Sequence, residues 1–87
     1  MPYSTSQLVM TRPPVVKSAK HLFKEGDPFY SKCYVPCSAR LKSGAEQGAE
    51  LDLYLHSDGR WNDSADGGGW FDSEAYAKEV LAAALKM

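Results

Sequence analysis

The chain is short of several things, and each shortage narrows what it is. No apolar run approaches the ~20 residues that a membrane-spanning helix needs. The opening segment MPYSTSQ has no charged stretch followed by an apolar core, so no secretory signal is expected and the setting is expected to be cytoplasmic. Cysteine and histidine are scarce, two of each in 87 residues. Two cysteines in a reducing compartment read as free thiols, not as a disulfide framework. Two histidines are a thin supply for a general base and the group that would orient it. The G-x-S-x-G, H-E-x-x-H and phosphate-loop patterns are missing, as are repeats and low-complexity stretches. The expectation is a protein without catalysis, cofactor or membrane contact.

What the chain does have is alternation. In Ala49–His56, Leu51, Leu53 and Leu55 alternate with Asp52, Tyr54 and His56, the pattern of a strand with one buried face. An earlier run alternates Phe29, Ser31, Cys33, Val35, Cys37, Ala39 and Leu41 with Tyr30, Lys32, Tyr34, Pro36, Ser38, Arg40 and Lys42. The turn-rich SGAEQG at 43–48 between them predicts a hairpin. Pro36 has no amide hydrogen for a ladder, so its strand is expected at a sheet edge or with a bulge. His56-Ser57-Asp58-Gly59 reads as a tight turn. Arg60-Trp61 opens a third strand that resumes at Gly69-Trp70-Phe71, with the segment between looping out.

Asp72 or Ser73 caps a final helix whose apolar stripe is Ala77, Val80, Leu81, Ala84 and Leu85. Val15, Ala19, Leu22 and Phe23 share a helical face over Val15–Glu25, between Pro13-Pro14 and a Gly26 placed as a C-terminal cap. Residues 1–11 read as a flexible tail or a short edge strand around Leu8–Met10. At 44% hydrophobic and 24% charged residues the composition is globular. The expected fold is one α+β domain over residues 1–87: a two-layer sandwich in α-β-β-β-α order, a three-stranded antiparallel meander with two helices on one face. So small a domain buries roughly 60% of its unfolded surface, so a partner or second copy would add stability; monomer and homodimer both stay open.

The net charge of −1 is unevenly spread. Up to residue 45, seven basic residues face two acids; from 46 on, nine acids face three basic residues, so the halves carry +5 and −6. They either form a dipolar surface that orients a charged partner or neutralise each other across the sheet. With both helices on one side, the other face would carry Tyr30, Lys32, Tyr34, Arg40 and Lys42, with Asp52, Tyr54 and His56 from the next strand. Tyrosines interleaved with cations suit a protein interface, stacking on unpaired bases, or plain cross-strand pairing. Asp63 and Asp66 lie in an acidic loop, and Trp61 and Trp70 either close the core or leave one ring as an anchor. The candidate partner-binding residues are Tyr30, Lys32, Tyr34, Arg40, Tyr54, Asp63, Asp66 and Trp70.

The helix–three strands–helix order is that of double-stranded-RNA-binding domains, and the last helix, Ser73 through Ala77-Lys78 to Leu85, resembles the end of one. That family presents a basic cluster where this helix starts. Here Glu74 and Ala75 stand there and only Lys78 remains, so the phosphate contacts that dominate such binding are missing. Gly69-Trp70-Phe71-Asp72-Ser73-Glu74 similarly resembles the end of three-stranded DNA-reading domains of the AP2 type, against which the acidic second half speaks. Neither family is assigned.

Cys33-x-x-x-Cys37, with His21 and His56, nominally supplies four zinc ligands. Residues four apart in a strand, however, are separated by roughly 13 Å, and both cysteines fit as small inward core residues; no metal is expected. Asn62–Gly67 partly follows a calcium loop but has Ser64 and Ser73 where acids belong, which leaves a mobile acidic loop. Gly67-Gly68-Gly69 runs into Trp-Phe instead of a helix N-terminus, so it reads as flexibility, not a phosphate cradle. A polar sheet face and an acidic loop on a chain of this size fit a small regulator or inhibitor of a larger macromolecular complex, in size like phage host-takeover or anti-defence proteins. Its acidic residues or its Tyr/Lys/Arg face would meet a protein partner. The alternative is a nucleic-acid-binding domain using Lys17, Lys20, Lys24, Lys32, Arg40 and Lys42 around Tyr30, Tyr34 and Tyr54.

Overall fold

A computed structural model describes residues 2–44 and 47–86, so the tip of the expected 43–48 turn lies outside the described residues. In chain order the strands are β1 (Leu8–Arg12), β2 (Lys17–Ser18), β3 (Cys33–Tyr34), β4 (Pro36–Leu41), β5 (Glu50–Leu55) and β6 (Trp61–Asn62), followed by helix α1 (Glu74–Leu85). Single 3-10 turns cover Thr5–Gln7 and Ala19–His21. β1, β4, β5 and β6 form a four-stranded antiparallel sheet in that spatial order, and β2 pairs with β3 in a two-stranded one. The fold is α+β. Among the described residues no helix is long and apolar enough to cross a membrane.

Register decides which side chains are buried. Leu8 lies opposite Leu41, Met10 opposite Ala39, Cys37 opposite Leu53, Ala39 opposite Leu51 and Leu55 opposite Trp61. Because strand residues alternate, all of these share the inner face. With Val35, Phe71, Ala77 and Ala84 they build the core. α1 covers this face with four of the five residues of the expected stripe: Ala77 and Ala84 are fully buried, with Val80 and Leu81 packed beside them, while Leu85, in the last turn, stays half exposed. Ser73 starts the helix by accepting from the Tyr76 amide at 3.1 Å. Trp61 is fully buried; its Nε1 donates to Thr5 Oγ1 at 2.9 Å and its backbone bridges to Tyr3. The segment before β1 therefore closes one end of the core.

Residues 33–41 keep their alternation throughout, with Cys33, Val35, Cys37, Ala39 and Leu41 turned to the core. Alongside them the chain from Leu8 to Ser18 runs antiparallel: Leu8 faces Leu41, Arg12 faces Ser38, Lys17 faces Tyr34 and Ser18 faces Cys33. The ladder is interrupted midway, at Pro13-Pro14 on one side and Pro36 on the other. None of these prolines has an amide hydrogen to donate, so one ribbon is split into two short ladders. Pro36 holds the first place in β4, where a sheet tolerates proline. β4 is thus an inner strand between β1 and β5, not the expected edge, and the edge place falls to β1. A bulge between Met10 and Arg12 adds one residue to β1 and turns Arg12 to the outer face with Ser38.

The helix predicted over Val15–Glu25 does not form. Lys17 and Ser18 pair as β2 instead, and Ser18 Oγ accepts from the Lys20 amide at 3.2 Å, capping a single 3-10 turn. A helix this short is marginal by itself, and strand pairing prevails. The strand predicted from Phe29 begins only at Cys33. Asp27 accepts from the Phe29 and Tyr30 amides at 2.9 and 3.0 Å, which winds 27–31 into turns. The third strand does not resume at residues 69–71; Phe71 bridges Cys33 instead. The meander is present as β4-β5-β6, widened by β1, with one helix on its inner face in place of the expected two.

Candidate functional site

With α1 on the inner face, the outer face is left to the long excursion 13–32 and the loop 62–70. Between them lies a second apolar cluster, separate from the core. Trp70 is its hub, with ring centroids 5.3 Å from Phe23, 5.4 Å from Phe29 and 5.7 Å from Tyr34. Phe23 and Phe29 also meet at 5.4 Å, and Tyr34 meets Tyr54 at 6.2 Å. The pairs are tilted or edge-to-face, the arrangements that ring quadrupoles favour. Beyond β2 the excursion has little regular structure, and these rings add to the β2–β3 ladder in pinning it to the sheet.

The cluster does not close over itself. Phe23, Tyr34, Tyr54 and Trp70 line a hollow of about 420 Å³, with Leu22 at one side and the Asp63–Asp66 loop at the other. Tyr34 is buried; its hydroxyl shares a 2.9 Å hydrogen bond with His21 Nε2. Burial first, then the neighbouring Tyr54, push the Tyr34 pKa upward, which keeps the phenol neutral. Leu22 and Phe29, at 54% and 37% exposure, leave apolar surface next to the hollow.

The loop that carries Asp63 and Asp66 is packed, where a mobile one was expected. His56, placed on the polar face by the alternation, is buried instead, because its Nε2–H donates to the Ser64 carbonyl at 2.6 Å. The Ser57 amide donates to the Gly68 carbonyl at 3.0 Å, and the Gly69 amide to the Ala65 carbonyl at 2.7 Å. Gly69 is required there, since a Cβ would fall 2.7 Å from the Ala65 backbone. The triplet Gly67–Gly69 therefore serves close packing rather than looseness. The aspartates are exposed at the rim while Ala65 is buried beneath them.

Of the residues singled out from sequence, Tyr34, Tyr54, Asp63, Asp66 and Trp70 converge on this hollow. Tyr30, Lys32 and Arg40 do not. Tyr30 sits in the 27–31 turns with Lys20 Nζ 5.9 Å over its ring. Lys32 pairs with Asp72, tying the start of β3 to the approach to α1. Arg40 is at the far end of β4, opposite Glu50 of β5. Basic and acidic halves thus meet at these two places. Leu22, Phe23 and Phe29 were assigned elsewhere by their spacing. Gly26-Asp27-Pro28 between the two phenylalanines was the signal that could have joined them, since a turn there folds one ring onto the other.

Cys33 and Cys37 are free, the first half-buried against the core and the second buried opposite Leu53. Burial, then the Asp52 carboxylate, push the Cys37 thiol up to about 12; burial, then Glu74, raise Cys33. Neither is an activated thiolate. Among the described residues no group of three or more His, Cys, Asp or Glu side chains could hold a metal ion. A second, smaller hollow of about 300 Å³ lies on the outer face where the prolines interrupt the ladder. Arg12, Lys17, Pro36, Asp52 and Tyr54 line it, so Tyr54 separates the two hollows. Comparison of the chain with protein-family models, curated proteins and solved structures finds no match.

Proposed function

We propose that this chain is a small non-catalytic protein-binding module, a regulator or inhibitor that acts in the cytoplasm by docking its aromatic hollow on a larger protein assembly. The observation that carries this reading is convergence. Phe23, Tyr34, Tyr54, Asp63, Asp66 and Trp70 come from separate stretches of the chain and line one concave surface. Tryptophan and tyrosine are favoured anchors in protein interfaces, and the exposed Leu22 and Phe29 extend the apolar surface around them. Burial holds the Cys33 and Cys37 thiols protonated, so neither is a ready nucleophile. Base stacking is the weaker reading, because the carboxylates of Asp63 and Asp66 at the rim would repel phosphates.

The test is a pull-down of the tagged chain from a lysate of its native cell, with and without nuclease, read by mass spectrometry. Trp70→Ala and the milder Leu22→Ser are run in parallel. The expected result is a protein complex retained after nuclease and lost with both variants. Retention that disappears with nuclease would refute the reading in favour of nucleic-acid binding through Lys17, Lys20, Lys24 and their neighbours. Retention unaffected by either variant would move the interface away from the hollow.

A further inference from the structure

We infer that the group seated in the aromatic hollow is the side chain of a lysine or arginine presented by the protein partner. The inference rests on the docking role of the hollow and goes on to name what enters it. Its walls are the rings of Phe23, Tyr34, Tyr54 and Trp70. Aromatic faces carry negative quadrupole potential and attract a cation placed within about 6 Å of the centroid. The chain already uses this attraction where Lys20 Nζ stands 5.9 Å over the Tyr30 ring. Among the described residues, the charged side chains that line the hollow are Asp63 and Asp66, both acidic. Their loop is held in place by the bonds from His56 to Ser64 and from Gly69 to Ala65. Ring faces and two carboxylates add up to one sign of potential. An anionic or phosphate-bearing group would meet it with repulsion. A purely aliphatic group would leave the carboxylates unused.

The hollow has room for a long side chain. A volume of about 420 Å³ lies near the low end of ligand sites, which run from about 300 to 1,000 Å³. Lysine and arginine join an apolar stem to a charged head. The stem would lie along Leu22 and Phe23, and the head would reach the tyrosines, Trp70 and the carboxylates.

The test uses the full chain, labelled with 15N, and capped tripeptides of Gly-Xaa-Gly with Xaa lysine, arginine, norleucine or glutamate. The readout is the indole N–H signal of Trp70. That of Trp61, buried and bonded to Thr5, is the internal control. Lysine and arginine peptides are expected to shift the Trp70 signal and leave Trp61 fixed, binding about fivefold or more tighter than norleucine, their neutral analogue. The double variant Asp63→Asn/Asp66→Asn, nearly isosteric and exposed, is expected to keep the same spectrum and to weaken lysine binding toward the norleucine level, the remainder being the attraction of the rings. Norleucine binding as well as lysine would overturn the inference while leaving an apolar docking hollow. Tighter binding of glutamate would overturn it as well. So would silence from all four peptides while Trp70→Ala still abolishes partner capture, in which case the docking role survives and its cationic occupant does not.

Discussion

Replacing Trp70 by alanine separates the two apolar clusters experimentally. The indole meets Phe23, Phe29 and Tyr34 at centroid distances of 5.3, 5.4 and 5.7 Å. Ring pairs contribute about 0.5–1.5 kcal/mol each beyond burial; taking the lower part of that range for a half-exposed cluster gives about 2 kcal/mol from the three pairs alone, a lower bound on the loss. Trp70 lies outside the core, so the loss falls on the excursion 13–32. The amides of Ala19, Leu22, Tyr30 and Lys32 all donate to carbonyls within this segment. Their hydrogen exchange should speed up by about 30-fold or more, the factor that corresponds to about 2 kcal/mol. The Leu55 amide, which donates to the Val35 carbonyl at 3.0 Å, should keep its protection relative to global unfolding. Acceleration spread evenly over β4 and β5 would refute the division into two clusters. No acceleration anywhere would refute the claim that the rings pin the excursion.

Gly69→Ala should cost about 1–3 kcal/mol, because the new methyl lands 2.7 Å from the Ala65 backbone; an unchanged thermal midpoint would show that the loop backbone is not so close. Ser73→Ala removes the cap on the Tyr76 amide and should lower stability by about 1 kcal/mol, a midpoint drop of roughly 4–8 °C, while Ser73→Asp should retain it. Burial, then the Asp52 carboxylate, push the Cys37 thiol up to about 12, well above its ordinary value. A raised value favours the protonated form in the folded state, so its contribution is intact below the unfolded pKa and fades as pH climbs toward the folded one. Urea midpoints should therefore fall across this alkaline window, and Cys37→Ala should flatten the slope; an identical slope in both proteins would rule the thiol out as the cause.

Local chemistry made the C-terminal half legible. The leucines of β5 and the alanine stripe of α1 repeat at the periods that their surroundings impose, and capping chemistry narrowed the helix start to Asp72 or Ser73, of which Ser73 takes the place. Alternation over 33–41 likewise assigned Cys33, Val35, Cys37, Ala39 and Leu41 to the core. It misled just beyond, because Asp27 turns the chain at 27–31 and a side-chain acceptor outweighs a period of two. The residues Val15, Ala19, Leu22 and Phe23 have helical spacing, yet their partners are distant. Lys17 finds Tyr34, and Phe23 finds Trp70. No window of local sequence contains such pairings. For the same reason Tyr34, Tyr54, Asp63, Asp66 and Trp70 could be picked out singly as interface types, while their meeting in one hollow depends on how the excursion folds back. His56 was misplaced because the bond that buries it goes to Ser64, a residue of the loop it holds.

The prolines that divide the ribbon also bear on how the chain behaves in a crowded solution. β1 is the last strand of its sheet and β2 the last of the other, so Leu8–Ser18 forms one outward rim. A continuous rim of that length, with Val9 half exposed on it, would invite strands of neighbouring molecules to zip on and seed fibres. Pro13 and Pro14 stand in its middle with nothing to donate. An incoming strand finds five residues of template at β1, a gap, and two more at β2. The interruption that opens the smaller hollow is in this respect a guard against self-assembly, built from the two residues least able to join a growing sheet.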